Sequence, residues 1–170
     1  MFLKLVLNYK RPNFIFYKKI KDMANIVYFI SGHRNISDKE FNDNYAKKLK
    51  SIEDVYNNEC FRLKNIGIEW INPSITPLYV VGDYDGVDIL AQNYLIDELC
   101  IDPNRITVYH MHNIPANFNP RVKNFVGGFK SDEERDKAMT ENSNYDIAFV
   151  RDHNVWSGTA ANILRRNKLK

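Results

Sequence analysis

Short apolar runs alternate along the chain with longer segments whose apolar residues recur every three or four positions. That pattern predicts strands separated by helices. Residues 26–30 read as a buried strand, and Ser31-Gly32-His33-Arg34 is the turn that leaves it. Ser37 and Glu40 have the spacing of a capping box and open a helix. Its apolar face is Phe41, Tyr45, Leu49, Ile52, Tyr56, Cys60 and Leu63, and it ends at Gly67, as one helix or as two with a kink. A second strand is predicted over 78–81. An acidic, glycine-bearing turn and a helix with Val87, Leu90, Ala91, Tyr94 and Leu95 on one face follow it, reaching about Leu99. Strands over 106–111 and 146–150 complete the set, with a helix opened by Ser131 before the last strand and another from Thr159 to about Leu164 after it.

Strands alternating with helices imply an α/β domain of the Rossmann-like, three-layer kind with a mainly parallel sheet. Right-handed crossovers put every strand-to-helix turn at one edge of that sheet, so a site is expected there. The stretch between His112 and Lys130, with Pro115, Pro120 and Gly127-Gly128, is expected to be a lid or binding loop over the pocket mouth.

Length supports one domain over residues 23–170. Six of the basic residues lie in the first 22 positions, beside Asp22 as the only acid, so the remainder is slightly acidic despite a net charge of +3. The segment 1–22 is expected to be a disordered extension, with Met23 as the true start. Cys60 and Cys100 belong to no metal or redox motif and are expected as reduced thiols on helices of a cytoplasmic protein. No apolar run is long enough to span a bilayer, and the folded part lacks a basic stripe for nucleic acid, which ranks that reading last.

Four clusters converge on the predicted edge. Ser31, Gly32 and Arg34 offer a tight exit and a guanidinium fork suited to phosphate or carboxylate. Gly82-Asp83-Tyr84-Asp85-Gly86-Val87-Asp88 holds more carboxylates than helix capping requires. It is not an EF-hand, because Val87 stands where a further oxygen ligand is needed and the distant Glu is missing. No metal is therefore expected, and no cofactor. His110 and His112 would share a strand face and His33 could approach His153, but neither pair has a third ligand. Ser131 with Glu134 and Arg135 begins a helix at the same edge, and Ser157-Gly158-Thr159 exposes amides and hydroxyls to an anion at a helix start.

The order of these clusters resembles the Rossmann-like superfamily that unites DNA-processing proteins, molybdenum-cofactor carrier-like proteins and lonely-guy phosphoribohydrolases, over residues 26–166. The acidic turn is similar to the Gly-Asp-Ala-Asp-Gly-x-Asp pattern of uncharacterised members. Glu134-Arg135-Asp136-Lys137-Ala138-Met139 is similar to the Glu-Arg-Lys helix of the phosphoribohydrolases. Ser157-Gly158-Thr159 falls where they carry Pro-Gly-Gly-x-Gly-Thr-x-Glu-Glu, although Ala161 and Asn162 stand in place of the two glutamates.

The resemblance implies a pocket for a nucleotide or ribosyl phosphate, a homo-oligomer, and Arg135 as a ligand arginine. Two functions follow as expectations. One is hydrolysis of the N-glycosidic bond of a nucleoside phosphate, with Asp83, Asp85 or Glu134 as the catalytic carboxylate and Ser31, Gly32, Arg34, Gly82, Gly86, Asp88, Arg135, Ser157, Gly158 and Thr159 holding the ligand. The other is a non-catalytic nucleotide sensor or carrier using the same pocket.

Overall fold

The computed structural model describes residues 26–65, 76–151 and 157–169. The basic segment 1–22, the helix end at Gly67, His153 and the residues just before Ser157 lie outside them. Strand β1 (Val27–Ser31) is followed by helix α1, in which Asp38–Phe41, a π-helical turn Asn42–Ala46 and Lys47–Asn65 run on without a break. Ser37 caps α1: its hydroxyl accepts from the Glu40 amide at 3.3 Å, while the Glu40 carboxylate accepts from the Ser37 amide. Of the two expected alternatives it is one continuous helix, in which the π turn inserts one residue without ending it.

Strand β2 (Leu78–Val81) leads to helix α2, made of Val87–Asn93 and a second π turn Tyr94–Glu98. Cys100 lies just beyond α2 rather than on it, at φ 52°. A 3₁₀ turn Pro103–Arg105 precedes β3 (Ile106–Tyr109), and β4 (Asn124–Val126), α3 (Asp132–Glu141), β5 (Tyr145–Ala148) and α4 (Gly158–Asn167) complete the described chain.

All five strands are parallel, in the order β4-β3-β2-β1-β5. Alternate residues of each strand point to opposite faces. Ile30, Tyr79, Val81, Ile106 and Val108 pack with Tyr45 and Leu49 of α1 and Val87, Ala91 and Leu95 of α2. Phe29, Val80 and Tyr109 form a smaller cluster with Met139 of α3 on the other face. The protein is thus a Rossmann-like α/β sandwich. The chain steps from β1 through β4 in one direction and then returns to place β5 on the other side of β1, so the carboxyl ends of β1 and β5 flank the topological switch point.

Strand β4 is an addition to the sequence expectation. The segment 112–130 is no lid. The Ala116 amide donates to Asp83 Oδ2 at 2.8 Å, the Asn117 amide to the Asp83 carbonyl, and the Asn119 amide to Gln92 Oε1. It then pairs with β3, and none of its residues lines the cavity described below.

Two polar clamps hold the sandwich at opposite sheet edges. At the amino edge the buried Glu53 carboxylate accepts from Arg105 at 2.6 and 2.9 Å and from the Tyr79 hydroxyl. At the carboxyl edge the fully buried Tyr45 hydroxyl donates to the Ser31 carbonyl and accepts from the Phe149 amide, both at 3.1 Å, so α1 joins the ends of β1 and β5. Burial pushes the Tyr45 phenol up to about 12, which keeps it a donor at any ordinary pH. Tyr45→Phe leaves a buried amide and carbonyl short of a partner and should cost about 1–3 kcal/mol in urea unfolding. A loss within experimental error would show that the hydroxyl does not join these strands.

Candidate functional site

Four segments meet at the carboxyl edge round a cavity of about 290 Å³. The end of β1 supplies Phe29 through Arg34, and the β2–α2 turn supplies Gly82, Tyr84, Asp85 and Asp88. Helix α3 contributes Asp132, Arg135, Asp136 and Met139, and the start of α4 contributes Ser157, Gly158, Thr159 and Asn162. The volume lies just below the usual range of pockets for organic ligands, about 300–1,000 Å³.

The turn after β2 is shaped by two glycines. A side chain on Gly82 would stand 2.3 Å from Asp88 Oδ2, so its absence lets the Asp88 carboxylate fold back onto the turn. There Asp88 accepts from the Tyr84 amide at 3.2 Å. Gly86 has φ +80° and packs against the carbonyls of His33 and Arg34, which locks the turn onto the end of β1.

Arg135 sits at the centre of the acidic residues. Its guanidinium, 5 % exposed with the rest of the residue, donates to Asp136 Oδ1 at 2.9 Å and to Asp83 Oδ1 at 3.4 Å, and lies 3.5 Å from Asp132. It also lies 4.7 Å from the centre of the Tyr84 ring. Arg34 covers the same ring at 3.5 Å, and the Tyr84 hydroxyl donates to Asp132 at 2.6 Å. Asp136 is held further by the Asn162 amide at 3.1 Å. Because a guanidinium occupies the middle of the cluster, the carboxylates face it. Among the described residues no group of three or more His, Cys, Asp and Glu side chains is arranged to hold a metal ion.

Asp88 differs from Asp83 and Asp136, for no guanidinium hydrogen bond reaches it among the described residues. Burial pushes its carboxyl up to about 7, helped by the like charges of Asp136 and Asp83 and opposed by the Tyr84 amide and Arg135. Ser31 and His33 also line the cavity, only 7 % and 9 % exposed, and Ser31 Oγ and His33 Nε2 are buried with no hydrogen-bond partner among the described residues. Burial and the nearby Arg151 lower the His33 pKa, opposed by Glu40. Unpaired buried polar atoms of this kind cost free energy unless something binds them.

Opposite them, Ser157 caps α4 by accepting from the Ala160 amide at 3.2 Å. The Gly158 and Thr159 amides have no acceptor within the helix and carry its positive dipole end toward the cavity.

The cavity therefore gathers Ser31, Gly32, Arg34, Gly82, Asp85, Asp88, Arg135, Ser157, Gly158 and Thr159, all expected from the sequence. Three expected residues lie outside it. Asp83 is buried behind the turn, spent on Arg135 and the Ala116 amide. Glu134 accepts from the Lys130 amide at 2.8 Å and serves the start of α3. Gly86 lies beneath the turn rather than on the lining. His110 is buried beyond the end of β3 and His112 is exposed, so the two do not share a strand face.

The sequence reading missed Tyr84, Asp132, Asp136 and Asn162 as site residues. Asp132 and Asp136 are one helical turn apart on the helix that carries Arg135, a spacing that puts both on its cavity side. Comparison of the chain with protein-family models, curated proteins and solved structures found no match. Among the described residues no helix is long and apolar enough to cross a membrane.

The raised carboxyl of Asp88 has a stability consequence whose sign is fixed. An unfolded Asp releases its proton near its ordinary 3.8, whereas the folded one does so at about 7. Between those values the native state binds more protons, so stability falls as pH rises through that window. Asp88→Asn cannot ionise. It should be more stable than the natural protein at pH 8, by up to about 4 kcal/mol at ~1.4 kcal/mol per unit, and no more stable at pH 4. Equal differences at both pH values in urea titrations would show that the charge of Asp88 is not penalised by the fold.

Proposed function

We propose that this cavity binds a ribosyl phosphate of nucleotide size and hydrolyses its N-glycosidic bond, with Asp88 as the base that activates water. The observation that carries the proposal is a buried carboxylate pushed up to about 7 that lines one cavity with Ser31 and His33, whose buried Oγ and Nε2 have no partner among the described residues. A group with such a pKa takes a proton readily at physiological pH, and its ionised form also stabilises positive charge developing on a sugar.

In this reading the Gly158 and Thr159 amides receive the phosphate. Ser31 and His33 hold the ribose hydroxyls. Water bonds to C1′ as the C1′–N bond breaks, the bond electrons leave with the base, and the water proton passes to Asp88. Asp85 and Asp136 add negative potential near the sugar. Arg135 positions the carboxylates and keeps their repulsion from opening the site.

Binding without turnover is a second reading, favoured by Asn162. It stands where the resembling phosphoribohydrolases carry a glutamate, and it holds Asp136 in place. Calorimetry with a panel of nucleoside monophosphates, together with chromatographic detection of free base, separates the two. Hydrolysis predicts base release whose rate rises with pH to a plateau above about 7. It also predicts a loss of about 10²–10⁴-fold in Asp88→Asn with binding retained. Binding without base release at any pH would leave the carrier reading, and absence of binding would contradict both.

A further inference from the structure

Arg34 and Tyr84 together display what the outer part of the cavity recognises. The Arg34 guanidinium is a planar cation lying 3.5 Å from the centre of the Tyr84 ring, with Asp132 at 3.6 Å. Its side chain is 62 % exposed, and among the described residues it makes no hydrogen bond. Stacking and an exposed ion pair are weak restraints, so this cation is readily displaced. The other guanidinium near the ring, Arg135 at 4.7 Å, is fixed, because it is committed to Asp83 and Asp136. Once Arg34 leaves, Asp132 remains bonded to the Tyr84 hydroxyl at the edge of the ring and shared with Arg135 at 3.5 Å, and Asp85 lines the same cavity with no ion pair among the described residues. The lining as a whole carries four aspartates against two arginines. Ser31 and His33 line the same cavity, and their buried Oγ and Nε2 have no hydrogen-bond partner among the described residues, which independently points to a ligand there.

We infer that the outer face of Tyr84 is a seat for a planar organic cation, and that the leaving base of the substrate carries a fixed positive charge, as an N-alkylpyridinium ribosyl phosphate does. The inference rests on the ribosyl phosphate reading above and narrows it to a substrate class. It also fits the chemistry available. When the C1′–N bond breaks, the ring nitrogen takes the electron pair and becomes neutral, so the base leaves without a proton donor. Water supplies the new C1′–O bond, and its proton goes to Asp88. A ring cation then occupies the place of the Arg34 guanidinium, against the same aromatic face and the same carboxylate.

The test is calorimetric titration of the full-length protein with oxidised and reduced nicotinamide mononucleotide. They share the ribose, phosphate and ring framework and differ in the ring's charge. The oxidised form should bind at least about tenfold more tightly, the range expected of a cation on a partly desolvated aromatic face with a carboxylate beside it. Tyr84→Phe keeps the face and should keep the preference, whereas Tyr84→Leu should reduce it to within about threefold. Equal or reversed affinities in the natural protein, with both forms binding, would overturn the inference and leave the ribosyl phosphate reading standing. A full preference in a folded Tyr84→Leu variant would overturn the seat at Tyr84. Binding of neither form would overturn this inference alone, and the panel of nucleoside monophosphates then decides the ribosyl phosphate reading separately.

Discussion

The buried guanidinium of Arg135 is the charge on which the site depends. Taking a cation out of water costs several kcal/mol, and only well-placed partners offset that cost. Here they come from both sides of the crevice: Asp83 from the turn after β2, and Asp132 and Asp136 from α3 itself. The same contacts explain how so many carboxylates share one small space. Asp83 and Asp136 bond to Arg135, whereas Asp88, left to a single backbone amide, is pushed by burial toward its neutral form. One cation therefore separates the carboxylates it binds from the one that it does not.

That sorting is supported from below by the sheet. Tyr45 fixes the ends of β1 and β5, and the Gly86 turn is pressed onto the His33 and Arg34 carbonyls. The strand end that carries Ser31 and His33 is thus held at a set distance from the turn that carries Asp88. The segment 112–130 works the same way from behind, closing the far side of Asp83 rather than covering the cavity. The cavity stays open on the side of Arg34, Tyr84 and Asp85, where the side chains are half-buried or exposed.

Much of the architecture was legible in the sequence because the strands are buried on both faces and the helices are capped by local rules. Ser37 with Glu40, Ser131 and Ser157 each mark a helix start by their own side chains. Strand β4 was not legible: Asn124-Phe125-Val126 is short, half-exposed and close to Pro120, and its extended form comes from pairing with β3. At the site, the acidic turn announced itself, but which aspartate faces the cavity did not. That choice depends on the space left by Gly82 and on an amide from residue 116, far away in the chain. Glu134 shows the converse. Its spacing from Ser131 correctly signalled a helix start, and serving that start is what keeps its carboxylate out of the cavity.

The central claim is that burial beside Arg135-bound carboxylates sets the ionisation of Asp88, and carbon-13 NMR of the carboxyl groups tests it directly. With Asp88 assigned by its loss in Asp88→Asn, its side-chain carbonyl shift should follow a titration centred at about 7. A midpoint near 3.8, the ordinary value for aspartate, would contradict the account.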